Sequence, residues 1–227
     1  MKRIGILFAS DTELEPFFKH LQSPEIFEKA MLKFYAGHIM KIEAIALYSG
    51  VCKVNAAIAA QLLIDHFNVD GIINAGTAGG IDEKIQILDT VVSDRVAYHD
   101  VSEDILTEFH PWLKENCFRS GRELYSAAKK YSGSSDYPVI FGTMVTGEQF
   151  IEDEKRTEIS RKYSPLSVDM ETAAVAHVCY VNSIPFLSVR TITDTADRKG
   201  AENFELNCRA ASERSAEIVA GILMQLQ

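Results

Sequence analysis

The sequence predicts a single α/β domain over residues 1–227, in which helices flank a mixed, mostly parallel central β-sheet. Three observations lead to this fold class. Short apolar runs that are typical of buried strands alternate with helical segments along the chain. No linker, repeat or low-complexity tract interrupts the 227 residues. A chain of this length buries roughly 70% of its unfolded surface, which is enough for one core.

The first third of the chain alternates strands and helices. The nearly all-apolar run at 4–8 is typical of a strand with helices over both faces. A helix is expected over about 12–21. The alternating stretch 33–49, with Gly37 inside it, predicts a hairpin of two strands. The Ala-, Leu- and Ile-rich segment 53–67 predicts a long helix.

The rest of the chain continues the pattern, with one exception. Residues 99–118 are irregular and polar, and a segment of this length in a compact domain is usually functional or part of an interface. The other segments follow the apolar periodicity. Strands are expected at 71–74, 89–97, 139–145, 167–170 and 185–193, and helices at 122–131, 152–163, 171–180 and 204–227.

Charge and hydropathy limit the kinds of partner that the protein can bind and indicate its location in the cell. The net charge of −9 at pH 7 opposes binding to nucleic acid or to an anionic membrane, but it permits a small neutral or zwitterionic substrate. The N-terminal apolar run is short and acidic residues follow it, so it predicts a strand rather than a signal peptide. No stretch reaches the roughly 18 apolar residues of a membrane span. We expect a cytoplasmic protein whose four scattered cysteines are reduced.

Polar candidates cluster where predicted strands end, at the sheet edge on which α/β proteins bind ligands. They fall at 10–13, 76–80, 147–151, 170–171 and Asp194. The second segment reads Gly-Thr-Ala-Gly-Gly, and glycines let a backbone approach a ligand closely. Its spacing matches neither the dinucleotide fingerprint nor the P-loop, and a plain tight turn explains it equally well.

Two acids accompany the short strand at 167–170. Asp169 is placed to cap the following helix, where the helix dipole stabilises an acid. Glu171 lies among apolar residues, so its charge needs a partner. A carboxylate that faces a pocket can accept two hydrogen bonds from a vicinal diol such as ribose. Local sequence therefore favours a structural Asp169 and a functional Glu171.

Three other charged residues stay ambiguous on local grounds. Arg190 lies in a predicted buried strand, so it must be paired or face a cavity. Asp194 ends that strand and could form a turn, cap a helix or act as a general acid. Ser10 and Glu13 match the S-x-x-E capping box, in which the glutamate reaches back to the N–H of the cap residue. That match favours a structural Glu13.

Metal and covalent mechanisms are disfavoured. The six histidines show no H-E-x-x-H and no i, i+4 pair suited to zinc, and no G-x-S-x-G nucleophile elbow occurs. His177 lies on an apolar helix and is predicted to be packed or exposed. His99 and Asp100 are expected to form a structural hydrogen bond rather than a catalytic dyad. No metal and no cofactor are expected.

Eight short segments occur in a fixed order along nearly the whole chain. They are residues 49–56, 74–80, 92–94, 98–100, 147–151, 168–171, 176–179 and 190–194. No single segment is specific, but the set resembles the 5′-methylthioadenosine/S-adenosylhomocysteine nucleosidases of the purine nucleoside phosphorylase superfamily. The resemblance implies a nucleoside phosphorylase-like fold, an adenine nucleoside as substrate, and hydrolysis of its N-glycosidic bond to adenine and a 5-thioribose product.

The resemblance implies three catalytic residues. Asp194 would protonate adenine N7, so that the base leaves as a neutral molecule. Glu13, despite its capping pattern, would orient and deprotonate the attacking water, helped by Thr77 and Arg190. Acid assistance at N7 and fixed negative charge near the ribose both favour an oxocarbenium-like transition state.

The resemblance also implies the residues that bind substrate. Glu171 would accept hydrogen bonds from the ribose diol, with Met170 packed on the sugar and Ser10 at the ribose end. Phe150 would cover the adenine ring, and backbone groups of Ile151 would read its amino edge. The remaining binding residues would be Thr77, Gly79 and Phe204, the last of which would close the pocket.

Three classes of function remain: a hydrolase, a phosphorylase, and a nucleoside-binding protein without activity. Related purine phosphorylases carry one arginine on the strand before the glycine segment and another in the first loop. This chain has Asn74 on that strand, and its 10–18 segment contains Glu13 and no arginine. Because a carboxylate repels phosphate and suits water, the hydrolase is preferred. A binding protein predicts the loss of a catalytic carboxylate, yet all three are present.

The segment 99–118 departs from the bacterial nucleosidases. Those proteins carry a Gly- and Tyr-rich stretch that contributes hydrophobic residues to the 5′-alkylthio pocket of the neighbouring subunit. This chain instead reads Ile-Leu-Thr-Glu-Phe-His-Pro-Trp at 105–112. A homodimer with this segment near the interface is still expected, while the preferred 5′ substituent stays open. Phe109 and Trp112 are candidates for an aromatic wall, or equally for a surface anchor.

Overall fold

A computed structural model describes residues 1–109, 113–151, 153–195 and 200–226, apart from the side chains at 103, 153, 154, 200 and 201. Its strands are β1 (Arg3–Phe8), β2 (Gln22–Lys29), β3 (Leu32–Ile39), β4 (Ile42–Tyr48), β5 (Gly71–Gly80), β6 (Thr90–Tyr98), β7 (Phe118–Arg119), β8 (Val139–Thr146), β9 (Ser167–Asp169) and β10 (Phe186–Asp194). The helices are α1 (Asp11–Leu14), which continues into a 3-10 helix (Glu15–His20), α2 (Lys53–Phe67), α3 (Glu103–Glu108), α4 (Arg122–Ser132), α5 (Asp153–Tyr163), α6 (Thr172–Val181) and α7 (Gly200–Met224).

The strands form one mixed sheet in the order β10-β6-β8-β9-β5-β1-β4-β3-β2, with β7 paired to β6. Strand β10 also pairs with β5, so β5, β9, β8, β6 and β10 close into a ring. Within the described residues, five pairings are parallel and five antiparallel. Three parallel pairings join β4, β1, β5 and β10, and two join β6, β8 and β9. The predicted fold class, an α/β domain with helices around a mixed central sheet, is confirmed.

Helices cover both faces of the central strands, which is why β5 is almost completely buried. Adjacent residues of a strand point to opposite faces. Ile72 packs with Leu63 of α2 on one side, whereas Ile73 packs with Val219 of α7 on the other. The continuous apolar runs in these strands are therefore the expected sequence of strands buried on both faces. Among the helices that the structure describes, none is both long and apolar enough to cross a membrane.

The glycine-rich segment 76–80 is not a turn after a strand. It is the second half of β5, which runs from Gly71 to Gly80. Its backbone pairs with β10, where Thr77 lies opposite Thr191, and with β9, where Gly79 lies opposite Val168. The plain-turn explanation is therefore wrong, because pairing partners distant in sequence keep this segment extended.

The predictions for the first third of the chain have mixed outcomes. The expected helix over 12–21 is a four-residue helix, α1, followed by a 3-10 helix with Pro16 near its start, where a missing N–H limits continuation of the α-helix. The predicted hairpin of two strands over 33–49 is confirmed as β3 and β4, with Gly37 inside β3 and the turn at residues 40–41. Strand β2 was not predicted, because it is an exposed edge strand without apolar alternation. The irregular segment 99–118 contains α3 and the start of β7.

Candidate active site

A cavity of about 250 Å³ opens at the ends of β1, β5, β9 and β10. It lies where the strand-end argument expected ligands to bind. The loop that follows β8 forms another of its walls. All eleven predicted site residues line this single cavity: Ser10, Glu13, Thr77, Gly79, Phe150, Ile151, Met170, Glu171, Arg190, Asp194 and Phe204.

Glu13 is fixed at one end of this cavity, although it belongs to a helix of only four residues. Ser10 caps α1 by accepting a hydrogen bond from the Glu13 N–H at 3.3 Å. The Glu13 carboxylate accepts bonds from the Thr77 N–H and hydroxyl, both at 2.8 Å, and from the Ala9 N–H at 2.8 Å. The predicted capping box is thus half formed, because the carboxylate turns to β5 and Ala9 instead of the Ser10 N–H. That orientation brings Glu13 into the pocket.

Gly76 makes this approach of Glu13 to β5 possible. Its φ of +138° lies in a region that residues with a side chain rarely adopt. A Cβ atom at this position would lie 2.6 Å from the Glu13 carboxyl group. Both the backbone conformation and the close contact therefore require glycine.

Arg190 lies between the carboxylates on the floor of the site and is only 1% exposed. Its Nη2 donates to Asn74 Oδ1 at 2.7 Å and to Glu171 Oε2 at 3.1 Å, and its Nη1 donates to the Thr77 carbonyl at 3.1 Å. Burial opposes the charge of Arg190, but the neighbouring carboxylates outweigh burial and raise its pKa. The expectation of a paired arginine facing a cavity is met. The carboxylates within 4 Å of the guanidinium are Glu13, Asp169 and Glu171.

Glu171 and Asp169 both line the cavity, but their hydrogen bonds differ. Asp169 Oδ1 accepts hydrogen bonds from the backbone N–H groups of Glu171 and Thr172, at 3.1 and 3.0 Å, at the start of α6. Glu171 is held by the Cys52 N–H at 2.9 Å and by Arg190. Burial raises the pKa of Glu171 to about 7, against the opposing effect of Arg190. Asp169 therefore bonds backbone N–H groups at the start of α6, as the sequence suggested, and both carboxylates face the cavity.

Asp194 ends β10 and is almost completely buried. Its Oδ1 accepts a hydrogen bond from the Thr193 hydroxyl at 2.8 Å. Its Oδ2 accepts a hydrogen bond from Arg156 Nη2. Gly79 leaves room for this group, since a Cβ there would approach Asp194 Oδ2 to 3.1 Å. The carboxyl group is therefore held on both oxygens at the edge of the cavity.

The remaining lining is mostly apolar. Phe150 and Phe204 approach each other edge to face, with ring centroids 6.3 Å apart. Ile151 is buried and Met170 is half-buried beside the carboxylates. Such a cavity offers an aromatic slot for a flat ring and polar groups at its ends, which is the usual composition of a small-molecule site.

Arg156 is the main site residue that the sequence analysis missed. It lines the cavity and is 4% exposed, although the sequence predicted only a helix over 152–163 and no site residue in it. One signal was present: Arg156 lies three residues before Ile159, and residues at this spacing share a helix face. Ile159 is buried, so this face of α5 packs inward. Asn74 was noted only as a difference from phosphorylases, and its bond to Arg190 was not anticipated.

The histidine predictions have mixed outcomes. His177 is packed, with its ring stacked on Phe118 at 4.9 Å. Asp100 bonds Lys53 at 2.9 Å instead of His99, and in the described part of the chain His99 Nε2 is buried without a hydrogen-bond partner. The structural bond expected between His99 and Asp100 is therefore wrong. Within the same residues, no group of three His, Cys, Asp or Glu side chains is arranged to hold a metal ion.

One of the two aromatic residues considered for the 99–118 segment, Phe109, does not line the cavity. Phe109 is 73% exposed, while Trp112 lies outside the described residues. The four cysteines are free, as expected.

The fold and the buried carboxylates around an aromatic slot define an α/β enzyme of the phosphorylase superfamily, whose family model matches residues 3–224. A curated nucleosidase from Listeria monocytogenes is 34% identical over 231 residues, which cover 97% of this chain and 98% of the relative. The chain belongs to the 5′-methylthioadenosine/S-adenosylhomocysteine nucleosidase family.

Two solved nucleosidases agree with this assignment. The enzyme from Colwellia psychrerythraea, solved with adenine, is 31% identical with a TM-score of 0.90, covering 99% of this chain and 96% of its own. The enzyme from Neisseria meningitidis, solved with methylthio-immucillin-A, is 28% identical with a TM-score of 0.91, covering 98% and 99%. Both are described as 5′-methylthioadenosine/S-adenosylhomocysteine nucleosidases.

Proposed function

We propose that this chain is an N-ribohydrolase that cleaves 5′-methylthioadenosine, S-adenosylhomocysteine or both, releasing adenine and the 5-thioribose product. One observation carries the proposal. Three buried carboxylates from different elements, Glu13, Glu171 and Asp194, line one cavity with an aromatic slot. Each is at most 4% exposed, and each is held by different donors.

Adenine departure is assigned to the Asp194 side of the cavity. Phe150 would cover the purine ring, and the Ile151 backbone would read its amino edge. Asp194 would give a proton to N7 as the glycosidic bond breaks, so that the base leaves without a full negative charge. The bonds from Thr193 and Arg156 support this role because they fix the plane of the carboxyl group.

Water attack is assigned to the Glu13 side. Its carboxylate is oriented by Thr77 and Ala9, which leaves one lone pair on Oε2 to accept a proton from water. Arg190 lies 3.9 Å from Glu13 and would stabilise this charge near the sugar. Glu171 would accept the ribose diol, with Met170 and Ser10 against the sugar. Negative charge around the ribose would stabilise the cationic sugar of the transition state.

Water suits this site better than phosphate. A phosphorylase must hold an anion next to the sugar, and it usually does so with arginines. Arg190 is already bonded to Asn74 and Glu171, and Glu13 would lie beside an incoming phosphate. Like charges at such distances repel by several kcal/mol even at an effective dielectric constant of about 20.

Adenine release in phosphate-free buffer tests the proposal. Purified protein is incubated with methylthioadenosine, and the base is followed by chromatography. Glu13→Gln is the matched variant, because it keeps the backbone cap from Ser10 and removes the base. We expect rapid release by the native chain and a loss of at least about 10²-fold in the variant. Undiminished activity of Glu13→Gln would show that the base is assigned wrongly.

We also propose a homodimer that forms through the face made by α2, α6 and the 99–118 segment. Lys53 at the start of α2 bonds Asp100 at 2.9 Å, and Phe118 stacks on His177 of α6, so these elements adjoin. Exposed apolar side chains cover this face, which is unusual for a surface open to water. They are Val51, Val54, Ile58, Ile105, Phe109, Tyr180 and Val181.

The solution mass tests the dimer. Light scattering after gel filtration should give twice the 25.3 kDa of one chain. Val54→Asp should reduce the mass towards one chain, because it buries a charge at the interface. Met31→Asp, at a fully exposed site on the β2–β3 turn, is the control and should leave the mass unchanged. A native chain that elutes as a monomer at micromolar concentration would refute the proposal.

The proposal also includes a cytoplasmic location and a single domain. The net charge of −9 and the free cysteines support a cytoplasmic location, where the 5-thioribose product could enter methionine salvage. Helices from both halves of the chain pack on one sheet, which supports a single domain over residues 1–227.

A further inference from the structure

Arg156 is buried, although it belongs to a helix rich in charged residues that mostly face the solvent. It lies on the first turn of α5 and is 4% exposed, with its side chain against the cavity. A buried guanidinium is costly unless all its donors are bonded. Ile159 is buried on the same helix face, where an apolar side chain would bring no buried charge. We therefore expect the buried arginine to have a function in the site.

The guanidinium joins three parts of the pocket. Its Nε donates to the Ile151 carbonyl at 3.1 Å, and its Nη1 donates to the Gly80 carbonyl at 2.8 Å. Its Nη2 donates to Asp194 Oδ2. A Cβ on Gly79 would lie 3.4 Å from Nη2, so this stretch of β5 has room for the contact. One side chain thus connects the loop after β8, the end of β5 and the end of β10.

We propose that Arg156 is a positioning residue for the general acid. It fixes the Asp194 carboxyl group relative to the Ile151 carbonyl, so that both groups meet the same edge of one purine. It also stabilises the carboxylate that remains when the Asp194 proton moves to N7 and the C1′–N9 bond breaks. This stabilisation grows as the proton leaves, so it lowers the barrier rather than tightening ground-state binding. The inference rests on the hydrolase and on the role of Asp194 proposed above.

Two substrates with different leaving groups distinguish this positioning role from a structural role. Adenine needs a proton to leave, whereas 4-nitrophenolate leaves without one. A 4-nitrophenyl 5-methylthio-β-riboside therefore uses the Glu13 and Glu171 side of the site but needs little from Asp194. A residue that acts through the acid should matter for methylthioadenosine and not for this activated substrate. A residue that only supports the fold should matter equally for both.

The experiment compares Arg156→Met and Arg156→Lys with the native chain on both substrates. Arg161→Met, an exposed position on the same helix, is the control. We expect Arg156→Met to lower kcat for methylthioadenosine by about 10²-fold, the loss typical of a misplaced catalytic group, with a smaller change in KM. Its kcat on the nitrophenyl riboside should stay within about threefold of the native value. Arg156→Lys should recover part of the loss, since it restores the charge but not the three bonds.

Two outcomes of this comparison would overturn the inference. One is an equal loss on both substrates, which would make Arg156 a structural residue. The other is native activity of Arg156→Met on methylthioadenosine. A double-mutant cycle with Asp194→Asn gives an independent check, since a residue that acts through Asp194 should add little to that loss. Full additivity would contradict the proposal. A native chain that releases no adenine from methylthioadenosine would refute the proposed function itself. The assay of the native chain detects this before any variant is compared.

Discussion

Replacing Arg190 by Met tests how the site is held together. The guanidinium lies 3.1, 3.4 and 3.9 Å from Glu171, Asp169 and Glu13. At an effective dielectric constant of 20, each attraction is about 4–5 kcal/mol before desolvation is subtracted. Removal of one partner from a buried ion pair typically costs about 3–5 kcal/mol net, because the opposite charge is left uncompensated.

The variant would leave three carboxylates without their cation, but Glu171 can reduce the repulsion between them by taking up a proton. Its pKa is already raised to about 7 by burial, and Arg190 opposes that rise, so the variant should raise it further. We therefore expect a loss of about 4 kcal/mol near pH 8. For a chain of this size, that corresponds to a fall in Tm of roughly 8–16 °C.

The pH dependence gives a second signature of the same charges. A carboxyl group whose folded pKa is raised loses stability as pH increases from its unfolded value to its folded value. The Tm of Arg190→Met should therefore fall more steeply than that of the native chain between pH 5 and pH 8. Arg209→Met is the control, since Arg209 is 82% exposed and its pair with Glu213 should be worth less than about 1 kcal/mol. A variant Tm within 2 °C of the native value, or an equal loss at both pH values, would refute this account.

The other predictions concern the diol acceptor and the glycine below Glu13. The kcat/KM of the native chain should fall as pH drops below about 7, because protonated Glu171 loses an acceptor for the ribose diol. Glu171→Gln should remove that dependence and lower kcat/KM at pH 8 by about 10–150-fold, the value of a hydrogen bond to a charged group; an unchanged pH profile would contradict the assignment. Gly76→Ala should cost about 1–3 kcal/mol in thermal unfolding and most of kcat, because it strains the backbone and displaces Glu13. Gly133→Ala, where a Cβ meets only Lys130 O at 3.6 Å, is its control, and equal effects of the two changes would argue against the steric explanation.

Much of the fold could be predicted because burial leaves a periodic pattern. The helix at 53–67 was predicted with its observed bounds, since its apolar composition reflects packing against the sheet. Strand β2 could not be predicted in this way, because all eight of its residues are exposed and its pairing with β3 is set by the turn. The strand through Gly76–Gly80 was equally hidden, as only distant partners keep it extended.

The site was predictable where a charge had no local explanation. Arg190 and Glu171 fall in apolar segments, so each had to find a partner or a cavity, and they found each other. Glu13 had a sufficient local explanation in the capping box, and only the tertiary contact with Thr77 turns its carboxylate into the site. Arg156 lies in a charged helix where one more arginine carries no signal apart from its spacing to Ile159.

The identity of the nucleophile is the central claim, and isotope labelling tests it most directly. Methylthioadenosine is cleaved in H₂¹⁸O, with and without added phosphate, and the sugar product is analysed by mass spectrometry. The proposed role of Glu13 predicts one ¹⁸O at C1 of the methylthioribose and the same rate in both buffers. Release of adenine only with phosphate, together with an unlabelled sugar 1-phosphate, would contradict it.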